Sequence, residues 1–271
     1  MLPSVDGIRL KMQRAYQQIE ALKGEINLFL EKGPYEPTLD IKRIGRTTDF
    51  TIRMIVKEPC EPMWSIVIGE ILHDIRSALD HLVYQLVVYA TDKAPPDNSR
   101  TQFPIFDEPA KFKVNSLKML AGVGSQATAL IKTLQPFSTG EGTKSPLWHL
   151  NQLSNIDKHR ALHLTGGFME TFNFTLPPLL NPGRIVDKSV RERGAFEHNT
   201  VVASGRFLSD LPLFAEPVKV DAQISFHIVF DQRAAIGDDW SVIGTLLNIA
   251  DRCRDCIATI SKDVLSLEFV L

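Results

Sequence analysis

The sequence predicts an α+β fold: a core of long helices, an N-terminal β-hairpin and additional C-terminal antiparallel strands. Three observations lead there. Apolar residues recur at three- and four-residue spacing over 4–32, 62–91, 125–164 and 238–265. They alternate with polar residues over 36–57 and in parts of 167–231. Helical and strand segments also come in blocks instead of alternating one for one, which disfavours a parallel sheet with crossover helices. At 271 residues and 44% hydrophobic, with no repeat or low-complexity linker, the chain is expected to form a single domain over 1–271.

The first helix carries Val5, Ile8, Met12, Ile19, Leu22, Ile26 and Leu30 among Lys, Arg, Gln and Glu, and Gly33-Pro34 stops it. The hairpin follows. Leu39 and Ile41 precede a turn at Gly45, and Phe50, Ile52, Met54 and Val56 then alternate with polar residues, the pattern of a sheet with one wet face. Pro62 opens the second helix, and Pro95-Pro96-Asp97 lies beyond its end. Residues 92–123 read as an irregular connection holding one short helix. A helix from 125 ends at Pro136, and Ser145-Pro146 supplies cap and first turn for another over 146–164, with Gly166-Gly167 as its stop. Strands are expected at 168–176, 201–204 and 218–230, the last alternating at Ile224, Phe226, Ile228 and Phe230. Val242, Ile243, Leu246, Leu247, Ile249, Ile257, Ile260 and Leu265 form the stripe of the final helix.

Charge and cysteine content narrow the class of protein. Thirty basic against 32 acidic residues give a net charge of −2, so phosphate binding would need a local cluster, not a global basic field. Three cysteines fit a reducing compartment, and the first twenty residues lack a signal-peptide core, so the expectation is a cytoplasmic protein of bacterial type. No apolar run reaches the roughly 18 residues of a membrane span, and no membrane partner is expected.

The helix containing GEILHDIRSALDHLVYQL carries the strongest signal. At about 100° per residue, Leu72, Ile75, Ala78, Leu79, Leu82, Val83 and Leu86 share one arc. Glu70, His73, Asp74, Arg76, Ser77, Asp80, His81 and Tyr84 share the other. A solvated face is the ordinary reading of such an arc, with Arg76 and Asp80 as an i, i+4 ion pair. Two histidines, a serine, a tyrosine and an arginine are instead groups that bind phosphates or move protons.

Arg76-Ser77-Ala78-Leu79-Asp80-His81 resembles the Arg-x4-6-His motif of the HEPN superfamily of helical ribonucleases and nucleotide-binding modules, with Ser77 as the polar residue after the arginine. The resemblance implies metal-independent RNA cleavage. Arg76 would hold the scissile phosphate, His81 would transfer the proton at the 2′-hydroxyl, and two protomers would combine their motifs in a homodimer. RNA or a nucleotide is the implied partner, with no cofactor and no metal. Arg76 and His81 lie about 140° apart on an ideal helix, so they flank the polar face of one chain. The RSALDHL helix followed by NIDKHR also resembles a group of bacterial proteins, a likeness that carries no activity.

A second constellation lies on the 146–164 helix. Its apolar stripe of Leu147, Leu150, Leu153, Ala161 and Leu164 includes Asp157. A carboxylate there needs neutralisation or a partner, with Arg76, His81 and His73 as candidates, and Asp157 is expected to orient Arg76 or His81. It could equally be a structural pair that sets helix register. Asn151, Asn155 and His159 form an i, i+4, i+8 row, and Lys158-His159-Arg160 is a compact basic group suited to phosphate or to offsetting the helix dipole. The expected catalytic residues are therefore Arg76, His81 and Asp157. His73, Ser77, Asp80, Tyr84, Lys158, His159 and Arg160 are the expected binding residues. The competing reading is a non-catalytic binding or scaffold protein that uses the same groups as a polar network between helices.

Other motifs add little. Cys253 and Cys256 form a CxxC inside a predicted helix with no second pair, the pattern of core or half-exposed thiols. His149 and His163 could join Asp157 and His159 at a divalent ion, but no tight ligand spacing accompanies them. Walker A, GxGxxG and GxSxG sequences are absent.

Overall fold

A computed structural model describes residues 2–168, 173–175, 184–190, 194–208, 221–223, 225–231, 234, 236 and 241–271. The chain combines α-helices with antiparallel sheets and divides into two compact units. One comprises Met1–Lys23, Met63–Leu162 and Ile243–Leu271; the other comprises Gly24–Pro62 and His163–Val242.

The first unit is helical. Helix α1 (Asp6–Glu31) buries Ile8, Met12, Ala15, Ile19 and Leu22, the spacing of one helical stripe. Helix α2 (Met63–Thr91) buries every member of the apolar arc read from its sequence, from Leu72 to Leu86. The chain then passes through α3 (Pro109–Met119), α4 (Ser125–Thr133) and the single turn α5 (Pro136–Thr139) to α6 (Pro146–His159). Helix α7 (Val242–Ile260) widens into a π turn at Ser261–Leu265. The expected start of that last helix, 238–240, lies outside the described residues. Among the described residues no helix is long and apolar enough to cross a membrane.

Helix α6 ends five residues before the expected 164. Arg160 is already extended, at φ −163° and ψ 157°, and Leu164 pairs with Phe230 in a sheet. Strand pairing therefore overrides an apolar period that would have continued the helix, and Ala161 is exposed instead of joining a stripe.

The second unit holds the sheets. Strands β1 (Tyr35–Ile44) and β2 (Thr47–Val56) form the expected hairpin, in register from Tyr35↔Val56 to Ile44↔Thr47. Gly45 takes a left-handed φ of +63° in the two-residue loop, a conformation open to glycine at no steric cost. Phe50, Ile52 and Met54 are buried, as their alternation requires.

Among the described residues seven further strands follow: β3 (Leu164–Phe168), β4 (Asn173–Thr175), β5 (Arg184–Val190), β6 (Gly194–Phe196), β7 (Thr200–Leu208), β8 (Asp221–Gln223) and β9 (Phe226–Phe230). The strand orders are β1-β2-β7-β5, β6-β3-β9 and β4-β8, with antiparallel pairing throughout. Expected residues 169–172, 176, 218–220 and Ile224 lie outside the described residues.

Strands β5 and β6 were not expected from the sequence, and two further details depart from its reading. Gly166 and Gly167 do not stop a helix; they lie inside β3, because a β-carbon at Gly166 would sit 2.7 Å from both Phe196 Cζ and Tyr35 Cζ. Strand β9 is buried at Ile228, Val229 and Phe230 in succession, so both of its faces are covered there and strict alternation fails.

Candidate functional site

Helices α2 and α6 pack together in the helical unit and enclose a cleft of about 600 Å³. From α2 the cleft receives His73, Ser77, Arg76 and Asp80, positions that follow one another along one helix face. Helix α6 contributes Trp148, Asn151, Gln152, Ser154, Asn155 and Lys158. The third wall comes from Gln102, Ile105, Phe106, Asp107, Lys111 and Met119.

Lys111 and Met119 of that wall belong to α3, whereas its 102–107 part has no helix or strand and is held by side chains. Arg76 donates from Nη2 to the Phe103 carbonyl at 2.5 Å, and Asp80 Oδ1 accepts from the Phe103 amide at 2.8 Å. The fully buried Gln135 donates to the Pro104 carbonyl at 2.8 Å and accepts from the Phe106 amide at 3.0 Å. Four backbone groups of 103–106 thus find partners on α2 and on Gln135 between α4 and α5, as buried polar backbone must. Arg76 and Asp80, 3.4 Å apart, act here as a two-pronged clamp on the Phe103 peptide groups.

The clamp leaves one donor over. Among the described residues Arg76 Nη1 is buried without a hydrogen-bond partner, and so is Ser154 Oγ across the cleft. Lys111 pairs with Asp107 at 3.2 Å and Glu108 at 2.7 Å, whereas Lys158 is exposed and makes no ion pair among the described residues. The cleft therefore offers unpaired positive charge, carboxamides at Gln102, Asn151, Gln152 and Asn155, and the half-buried rings of Phe106 and Trp148.

Asp157 lies elsewhere. Its carboxylate rests on the bare backbone of α2: a β-carbon at Gly69 would fall 2.7 Å from Asp157 Cγ. Desolvation raises its pKa, and the nearby His73 opposes the rise. No hydrogen bond or ion pair joins it to Arg76 or His81, contrary to the expectation that it orients one of them. The reason is axial distance: Gly69 stands seven residues before Arg76 and twelve before His81, about 10 and 18 Å along a helix. Asp157 and His73 instead line a second depression of about 500 Å³.

His81 faces α1. A β-carbon at Gly7 would sit 3.9 Å from its Nδ1, and burial together with the charge of Lys11 lowers its pKa, opposed by Asp80. His81, Tyr84, His159 and Arg160 line neither the cleft nor the second depression, and all four are exposed. Of the ten residues singled out by sequence, five meet in the cleft: His73, Arg76, Ser77, Asp80 and Lys158. Ser154, Gln152, Trp148, Phe106 and Gln135 were not anticipated. Asn151 and Asn155 flag the polar side of α6, and Gln152 and Ser154 between them carry the same signal; nothing local marks the 103–106 wall.

His149 is a buried histidine whose pKa burial lowers, against a hydrogen bond with the Thr143 backbone. Cys253 and Cys256 are fully buried, which raises both thiols, that of Cys256 to about 11. Among the described residues no three His, Cys, Asp or Glu side chains form a group able to hold a metal ion. Comparison of the chain with family profiles, curated proteins and solved structures found no match.

Proposed function

We infer that the α2/α6 cleft binds a nucleotide and that the protein works as a binding module. The observation that carries this reading is the pair of buried donors without partners among the described residues, Arg76 Nη1 and Ser154 Oγ, in the walls of one cleft. Buried polar groups in folded chains are otherwise nearly always satisfied, so an acceptor-rich ligand answers the deficit. A volume of about 600 Å³ suits a small molecule. Lys158 supplies charge for a phosphate and Arg76 Nη1 a further donor, the carboxamides can read a base edge, and Trp148 or Phe106 can stack on its face. The test is calorimetric titration of the intact protein with nucleoside mono- and diphosphates. Saturable binding that weakens about tenfold in Ser154→Ala and in Lys158→Ala, with no turnover, supports the reading. Nucleotide-independent behaviour of all three proteins removes it.

A second reading is the HEPN-like, metal-independent endoribonuclease, assembled from two copies of the chain. What supports it is the Arg76-x4-His81 spacing together with an exposed imidazole whose lowered pKa keeps it neutral, the form of a general base. Arg76 would clamp the phosphate and a His81 would move the proton. RNA cleavage in chelator that disappears in His81→Ala supports it. Cleavage that survives both His81→Ala and Arg76→Ala rejects it.

A further inference from the structure

The two ends of the α2/α6 cleft differ in charge. Helices α2 and α6 run antiparallel: Ser65 Oγ donates to the Leu162 carbonyl at 2.5 Å, and four residues further along α2 Gly69 lies under Asp157. Continued along both helices, that pairing puts Lys158 at the His73 end of the cleft and Trp148 at the Asp80 end. Ten residues of α6, about 15 Å, separate the two.

The 103–107 segment stands at the Asp80 end. Arg76 and Asp80 hold Phe103 there, and the Phe106 ring packs on Phe112 at 6.3 Å, which packs on Phe137 of α5 at 5.7 Å. From α5 the chain passes through one turn at Gly142–Lys144 into the start of α6, where Trp148 stands. This end of the cleft is therefore aromatic and acidic, lined by Phe106, Trp148 and Asp107. Lys111 does not reverse its sign, because Asp107 and Glu108 share that ammonium, two negative charges against one positive. Lys158, at the opposite end, makes no ion pair among the described residues.

A charge gradient of this kind sets the direction of a nucleotide and restricts its base. The phosphate goes to Lys158, and the base goes to the rings of Phe106 and Trp148, with its edge toward Asp107. Asp107 is 30% exposed; its Oδ1 accepts from Lys111 at 3.2 Å, and its Oδ2 makes no hydrogen bond among the described residues. A carboxylate only accepts. Guanine offers it two adjacent donors, N1–H and the 2-amino group. Adenine and cytosine offer an amino group beside a ring nitrogen that itself accepts, and the N–H of uracil lies between two carbonyl oxygens, so each sets an acceptor against the carboxylate. We propose that the cleft selects guanine nucleotides, with Asp107 accepting from N1–H and the 2-amino group while Lys158 holds the phosphate. This selectivity rests on the nucleotide reading of the cleft and names the nucleotide.

The experiment is calorimetric titration of the intact protein with guanosine, adenosine, cytidine and uridine monophosphates. It is repeated on Asp107→Asn, whose folding is checked by circular dichroism, with guanosine and xanthosine monophosphates. Xanthine carries a carbonyl oxygen in place of the 2-amino group, so a carboxamide can donate to that oxygen and accept from N1–H. The guanine nucleotide should bind the unaltered protein at least about tenfold more tightly than the other three. Asp107→Asn should lose about tenfold in guanine affinity and prefer the xanthine nucleotide. Adenine binding as tight as guanine in the unaltered protein, or an unchanged guanine affinity in Asp107→Asn, overturns the selectivity and leaves nucleotide binding in the cleft standing. Failure of all four nucleotides to bind removes both.

Discussion

Arg76 and His81 stand five residues apart on the same polar arc of α2, yet they meet different surroundings. Arg76 faces the 103–106 segment, where its guanidinium and the Asp80 carboxylate replace a strand partner for Phe103. His81 faces α1 beside Gly7 and Lys11 and keeps an exposed ring. The contrast teaches that one helix arc can serve two jobs, since each turn of about 5.4 Å meets a new neighbour. Chemical type alone would have grouped the two residues in one site.

The comparison can be broken most forcefully through Gln135, which holds two of the four pinned backbone groups. Gln135→Ala should cost about 2–4 kcal/mol in urea denaturation, because it strands a buried carbonyl and a buried amide. A loss below about 0.5 kcal/mol would mean that the wall holds itself.

Next in size is the direct contrast. Arg76→Ala should destabilise by about 1.5–3 kcal/mol, the range for a hydrogen bond to a charged donor, whereas His81→Ala should stay within about 0.5 kcal/mol. Equal losses would erase the distinction between the two sides of the helix.

Gly69→Ala should cost about 1–3 kcal/mol through the clash with Asp157, and much of that should return in the Gly69→Ala/Asp157→Ala double variant. Additive losses in the cycle would mean that the two positions do not touch.

The smallest effects are in pH dependence. The folded state lowers the His81 pKa, so the stability linked to it is present above the unfolded value near 6.5 and is lost as pH falls through the folded value. Asp157 has the opposite sign: its raised pKa makes its contribution most favourable below the unfolded value near 3.8, and that contribution is lost as pH rises through the folded value. Asp157→Asn should therefore stabilise at neutral pH, by less than about 1 kcal/mol after solvent screening, and have no effect in strong acid. Thermal melts across this range check both signs.

Several features were legible because they rest on local periodicity. The apolar arc of α2 follows from the 3.6-residue repeat, and the hairpin follows from alternation around Gly45. Four members of the polar arc, His73, Arg76, Ser77 and Asp80, line one cleft. The end of α6 was not legible, because it depends on Leu164 finding Phe230 more than sixty residues away. Nor was the role of Asp157, since a carboxylate placed on an apolar stripe does not announce that the facing residue is a glycine.

By itself, the sequence determined the long helices α1 and α2, the hairpin and the apolar arc of α2, because those properties repeat within a few residues along the chain. Tertiary structure alone decided that Arg76 grips a backbone segment, that His81 turns toward α1, and that Asp157 settles over Gly69. Each of these outcomes depends on the partner brought opposite by packing, and the free energy of a polar side chain is set by that partner as much as by its own chemistry.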